Sequence, residues 1–208
     1  DAKATLEQAR NNGAKGDGFD QLEQRLLQAE KLDDDRSDKS FLKVEDPPQQ
    51  LFDRVLNLYT KGNLKKALGE AEKLLKQFPN SATLYNLIGA TNQGLGKFDE
   101  AIRAYGKVIS IKPDQAETYS NMGVLFKNQG KIKEAIEAYK KAISIKPDYV
   151  SAHYNLGNIF QSENNLKEAI EAYRFVLTIK PDYVDAYNNL GNALKDQRKF
   201  NEAIDAYE

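Results

Sequence analysis

The sequence predicts an all-α solenoid, in which helix-turn-helix units stack in chain order. Glycine, alanine and proline each return at steps of 34 residues, at Gly89, Gly123, Gly157 and Gly191, at Ala101, Ala135, Ala169 and Ala203, and at Pro79, Pro113, Pro147 and Pro181. Within each period, apolar residues recur at the i, i+3, i+4 and i+7 spacing of a helix face. A strict period of this length is typical of a solenoid.

Composition argues against several classes of function. The 208 residues carry 30 Lys plus Arg against 31 Asp plus Glu, a net charge of −1, so no overall field favours nucleic acid or an anionic membrane. The absence of Cys excludes a disulfide framework and a thiolate metal site, and a single His argues against a His-based one. We therefore predict no cofactor, no metal and no nucleic-acid partner.

Membrane insertion is not predicted either. No apolar run approaches the roughly 18 residues of a membrane helix, and no signal-peptide pattern is present. The first residue is Asp1, which leaves open a removed leader. The compartment is undetermined, with the cytoplasm favoured.

Residues 1–47 are predicted to form an N-terminal extension, because the repeat pattern does not continue upstream of Pro48. A helix is expected over about 19–32, followed by a polar linker over 33–47. Four apolar residues at helical spacing indicate that helix, Phe19, Leu22, Leu26 and Ala29. The apolar island at 41–44 either covers the first repeat or docks a partner.

The repeat domain is predicted over 48–208. Its units are 48–81, 82–115, 116–149, 150–183 and a partial one, 184–208. In the third unit, Gly123 and Ala135 are expected to let the backbones of the two helices approach, while large aromatics fill the remaining space.

Turn residues agree with this division. A left-handed residue is expected after each first helix, at Gly62, Gly96, Gly130, Asn164 and Arg198. Asp114 and Glu117 have the spacing of a capping box, which predicts that Asp114 starts the first helix of the third unit.

These residues resemble the tetratricopeptide repeat family. In the second unit the matching positions are Tyr85, Ile88, Gly89, Ala101, Tyr105, Val108 and Pro113. The resemblance covers roughly 48–208, and its departures are concentrated in the first unit, as in an atypical end repeat. It implies a right-handed α-solenoid that serves as a scaffold for protein-protein interaction.

Catalysis is not predicted. His153 occupies the family's first aromatic position, which favours a packed structural imidazole over a catalytic base. Without a second His, a Cys or a nucleophile motif, no triad can be assembled. Acidic residues begin the second helices, at Asp99, Glu100, Glu134, Glu168 and Glu202, where they suit the helix dipole.

A ladder of asparagines lies opposite the predicted core. By the family resemblance, this face of the first helices lines a concave groove. The candidate peptide-binding residues are Asn86, Asn121, Lys127, Tyr154, Asn155, Asn158, Gln161, Asn188, Asn189, Asn192 and Lys195. An apolar groove end is expected from Phe52, Leu56 and Tyr59, which we predict are covered by the N-terminal extension.

A carboxamide offers both donors and an acceptor, so it can pair with the backbone of an extended peptide whatever the peptide's side chains. Similar asparagine ladders occur in O-linked N-acetylglucosamine transferases. The alternative is that Asn merely suits a solvated helix face.

The sequence therefore predicts a non-catalytic scaffold that binds extended peptide segments. Two alternatives stay open. One is the substrate-recognition module of a larger enzyme, of glycosyltransferase or sulfotransferase type, that continues past Glu208. The other is a self-assembling scaffold, which associates through the N-terminal segment or the open C-terminal end.

Overall fold

A computed structural model describes residues 46–208, and this part of the chain is built of helices alone. In chain order they are α1 (Gln49–Thr60), α2 (Leu64–Leu75), α3 (Ala82–Gly94), α4 (Phe98–Ile111), α5 (Ala116–Asn128), α6 (Ile132–Ile145), α7 (Val150–Ser162), α8 (Leu166–Ile179), α9 (Val184–Asp196) and α10 (Phe200–Tyr207). Each helix packs mainly on its neighbours in sequence. The predicted all-α solenoid is confirmed.

Small residues on the second helix of each pair allow close packing. Ala101, Ala135 and Ala169 have no solvent exposure. One large aromatic per pair fills the space beside them, Tyr105, Tyr139 and Tyr173 in α4, α6 and α8. The core is thus a repeated alanine and tyrosine layer, which follows from dense packing at a fixed period.

The recurring glycines have a more specific role than the expected approach of two backbones. A Cβ atom on Gly123 would lie 2.7 Å from Cε1 of Tyr139, and one on Gly157 would lie 2.6 Å from Cε1 of Tyr173. Such distances are well below carbon-carbon contact. The glycine therefore provides the space in which the tyrosine ring of the second helix lies.

The turns between paired helices follow the prediction. Gly62, Gly96 and Gly130 have φ near +75°, and Asn164 and Arg198 adopt the same left-handed conformation at φ 59° and 63°. After α5, the backbone N–H of Gly130 bonds the carbonyl of Lys127 at 2.9 Å, which satisfies one of the last carbonyls of the helix. The left-handed residue is needed for this closure.

The predicted capping box at Asp114 is wrong. Helix α5 begins at Ala116 with Gln115 as its N-cap, and no side chain bonds its first N–H groups. Asp114 lies one residue too early to do so, although Glu117 does occupy the first turn, where the dipole favours an acid. A capping side chain is found on α3 instead, where Ser81 Oγ accepts from the N–H of Leu84 at 3.1 Å.

Several predictions concern residues 1–45, which lie outside the described residues. These are the helix over 19–32, the linker and apolar island, and the covering of Phe52, Leu56 and Tyr59 by the extension. The division into an extension and a repeat domain stays a prediction. Among the helices that are described, none is long and apolar enough to span a bilayer.

Candidate peptide-binding groove

The first helices of successive pairs lie side by side. Helix α1 contacts α3, α5 contacts α7, and α7 contacts α9. No two successive second helices between residues 46 and 208 contact each other to the same extent. The first helices are therefore the more closely spaced row, as expected of the inner side of a curved solenoid.

Most predicted groove residues are partly accessible on this row. The half-buried ones are Asn86, Asn121, Tyr154, Asn155, Asn158, Gln161, Asn189 and Asn192, and the exposed ones are Lys127, Asn188 and Lys195. Two neighbours expected on the same face are instead buried. Leu87 packs in the apolar core with α1 and α2, and Ser120 is 4% exposed, with Tyr149 at the end of the same unit beside it.

A hydrogen-bond network joins the fourth and fifth units. The hydroxyl of Tyr173 lies 2.8 Å from Oδ1 of Asn158 and 2.9 Å from Oε1 of Gln161. Nδ2 of Asn189 donates to Oδ1 of Asn158 at 2.9 Å and to the hydroxyl of Tyr154 at 3.0 Å. The two Asn side chains therefore already have partners within the fold.

The hydroxyls at the equivalent tyrosines of the second and fifth units also have amide partners. Tyr207 donates to Oδ1 of Asn192 at 2.8 Å, and Tyr105 lies 3.4 Å from Oε1 of Gln93. The sequence reasoning assigned these tyrosines to the core by their spacing and missed their hydroxyls. The signal was available, since an amide 12 or 15 residues before the tyrosine recurs in these units.

The third unit breaks the pattern. The hydroxyl oxygen of Tyr139 is buried and has no hydrogen-bond partner within the described range. Val124 stands where the fourth unit has Asn158, and Lys127 stands where it has Gln161. Both acceptors have thus been lost together, and a buried hydroxyl without a partner is uncommon in proteins.

Burial raises the pKa of the Tyr139 hydroxyl and that of the Tyr173 hydroxyl. At Tyr173 the neighbouring Tyr154 adds to this rise in pKa and the nearby amide of Asn189 opposes it, whereas at Tyr139 burial acts alone. Both hydroxyls are therefore protonated donors at neutral pH.

The remaining candidates are the three apolar residues of α1 and the histidine of α7. Phe52 and Tyr59 are partly buried against the first apolar core, while Leu56 is 36% exposed on the same helix. His153 packs on Phe175 with ring centroids 4.2 Å apart, and its Nε2 lies 2.9 Å from the carbonyl of Pro147. These contacts indicate that the imidazole packs against its neighbours, as the sequence predicted.

Family and structural comparisons agree with this architecture. A model described as TPR repeat matches residues 94–130, 125–162 and 157–198. No curated protein matches the chain in sequence.

Among solved structures, a crystal structure of MamA is similar to the chain at 29% identity and a TM-score of 0.68, covering 73% of this chain and 88% of that one. MamA from Desulfovibrio magneticus RS-1 is 17% identical with a TM-score of 0.70, covering 79% and 93%. YrrB, described as a TPR protein with an unusual peptide-binding site, is 19% identical with a TM-score of 0.62, covering 77% and 82%. At 17% and 19% identity, the last two structures show similarity of fold alone. With its repeat model, its paired helices and these neighbours, the chain belongs to the tetratricopeptide repeat family.

Proposed function

We propose that the repeat domain is a non-catalytic scaffold that binds an extended peptide segment along its row of first helices. The observation that carries the proposal is the asparagine ladder. Asn121, Asn155 and Asn189 recur at 34-residue steps on α5, α7 and α9, and all three side chains are partly exposed there. Spaced amides of this kind suit a ligand whose own N–H and C=O groups recur along an extended backbone.

Two further observations support this function. Protein-protein interaction is the role of tetratricopeptide repeats, and YrrB, with a similar fold, carries a peptide-binding site by its description. The only histidine of the chain is held by Pro147 and Phe175, so it serves packing. A ligand-binding role uses the partly exposed amides of the ladder.

Replacing Asn121, Asn155 and Asn189 together by Ala is expected to weaken a bound peptide by about 100-fold. Each asparagine, Asn189 through its Oδ1 because its Nδ2 already donates within the fold, would lose one hydrogen bond to the peptide of on the order of 1 kcal/mol. The measurement is the Kd of a peptide selected from a random library on the unmodified protein. Asn201→Ala, on the exposed side of α10, is the matched control and leaves the Kd unchanged. Equal Kd values for the triple variant and the control would remove the ladder from the proposed function.

Self-association is a second candidate, favoured by an apolar surface on α10. Ile204 is 55% exposed and Phe200 59% exposed, whereas Ile170, the equivalent of Ile204 in the preceding unit, is 5% exposed because α9 and α10 cover it. Within residues 46–208, no helix packs over the same face of α10. A mass that rises with protein concentration, and that Ile204→Lys returns to the monomer value, would favour this function; a constant mass excludes it.

A further inference from the structure

We infer that the third unit is the point at which the groove selects its ligand, and that it takes a carboxylate side chain of the bound peptide between the Tyr139 hydroxyl and Lys127. The inference rests on the proposed function and makes it more specific. It assigns a chemical class, an Asp or Glu residue, to one position of the peptide.

The third and fourth units share one backbone arrangement but surround the tyrosine hydroxyl with different side chains. In the fourth unit, the Tyr173 hydroxyl is surrounded by acceptors from Asn158 and Gln161. In the third, Val124 and Lys127 occupy those positions and supply no acceptor. The Tyr139 ring is held by Gly123 in the same way as the Tyr173 ring is by Gly157, so the hydroxyl points to the corresponding place.

The Tyr139 hydroxyl is an unused hydrogen-bond donor. The Tyr139 side chain has no solvent exposure, and its hydroxyl has no partner between residues 46 and 208. A buried donor without an acceptor is costly, so an acceptor brought by a ligand would be bound strongly. Lys127, which takes the place of Gln161, is exposed, and its flexible side chain is the part of the surface that would open to admit the ligand.

The charge near the Tyr139 hydroxyl favours an anionic acceptor. In the fourth unit, the Gln161 amide is an acceptor for the tyrosine hydroxyl. In the third unit the equivalent residue is the cation Lys127, so a ligand acceptor at the Tyr139 hydroxyl would lie close to a positive charge. An ionised acceptor forms a stronger hydrogen bond than a neutral one and is also attracted by the ammonium group. Glu117 is the acid on the same helix, but it lies about 15 Å from Lys127 along the axis, beyond a Debye length at physiological salt.

Asn155 is the neighbouring amide of the ladder. Its counterpart Asn189 donates to Asn158 and Tyr154. The positions matching these two acceptors hold Val124, whose side chain has no acceptor, and Ser120, whose short side chain lies beside Tyr149. Asn155 therefore keeps its amide for the peptide backbone beside the bound carboxylate.

The test uses the full 208-residue chain labelled with ¹⁵N, and two synthetic peptides that differ at one residue. Each is about ten residues of Ala, Ser and Thr with blocked ends, and carries either Glu or Gln at its centre. Amide shifts on titration give both the Kd and the place of binding. The Glu peptide is expected to bind about fivefold more tightly, the difference between a charged and a neutral hydrogen bond.

Val124→Asn gives Tyr139 and Asn155 the internal partner that Asn158 provides in the fourth unit, and is expected to abolish the fivefold preference. Tyr139→Phe removes the donor while it keeps the ring, and is expected to do the same. Ala90→Asn is the matched control at the equivalent position of the second unit, where Tyr105 already has Gln93, and it should leave the preference intact.

The outcomes separate the two proposals. If both peptides shift the groove amides with equal Kd values, or if the Glu preference survives in Val124→Asn and Tyr139→Phe, the inference is overturned and peptide binding by the groove stands. If neither peptide produces any shift at millimolar concentration while library-selected peptides bind at α5 and α7, the inference alone falls. If no peptide of any sequence shifts these amides, both are overturned.

Discussion

Gly157→Ala is expected to destabilise the repeat domain by about 3 kcal/mol, the upper part of the usual range for an overpacked core. The added Cβ would lie 2.6 Å from the ring of Tyr173. That ring has no solvent exposure, and its hydroxyl is held by Asn158 and Gln161, so it cannot rotate away without breaking these bonds. The measurement is the free energy of unfolding from urea denaturation followed by circular dichroism.

Gly106→Ala is the matched control. Gly106 lies inside α4, and a Cβ placed there meets no atom within 4 Å. The same change should therefore stabilise the domain by about 0.5–1 kcal/mol, because alanine is the better helix former. If both substitutions moved the unfolding midpoint in the same direction, the packing role assigned to Gly157 would be wrong.

Gly191→Ala should lower the free energy of unfolding by less than Gly157→Ala does. Its Cβ would come even closer to a tyrosine ring, 2.4 Å from Cε1 of Tyr207. However, Tyr207 is 47% exposed and ends α10, so this ring can move into solvent. The cost of the same clash thus depends on whether a following element holds the tyrosine in place.

Tyr173→Phe is expected to destabilise the domain by about 1–3 kcal/mol, although it removes one oxygen and leaves the ring in place. The lost hydroxyl shares its one proton between Oδ1 of Asn158 and Oε1 of Gln161, and both amides are partly buried. Among the described side chains, no other donor bonds Oε1 of Gln161, so this oxygen would lose its partner. Differential scanning calorimetry should show a fall in Tm of a few degrees for a domain of this size.

Tyr139→Phe removes the same group as Tyr173→Phe, but it is expected to have the opposite effect on stability. The Tyr139 hydroxyl has no partner among the residues that the structure describes, so its removal abolishes a desolvation cost without breaking a bond. Its Tm should stay the same or rise. A loss of stability as large as that of Tyr173→Phe would mean that the hydroxyl of Tyr139 is satisfied, and it would contradict the carboxylate site as well.

How far the site was predictable depends on whether a residue acts alone or through a contact between units. The ladder at Asn121, Asn155 and Asn189 is visible in the sequence because it repeats at the period of the fold. The sequence does not show that these asparagines differ in their hydrogen-bond partners. Asn189 donates to groups 31 and 35 residues away, and Asn155 does not, because Val124 and Ser120 stand in place of Asn158 and Tyr154.

The sequence by itself determined the helix pairs, their turns and the alanine and glycine layer, since a 34-residue period repeats every local preference in the same register. Left-handed turns at Asn164 and Arg198 were predictable for this reason, even without glycine. Only the tertiary structure decided that Gly123 makes room for the Tyr139 ring and that Leu87 and Ser120 are buried. It also decided that the Tyr139 hydroxyl lacks a partner among residues 46–208. These features arise where one helix meets the next, and a contact between helices depends on both partners at once.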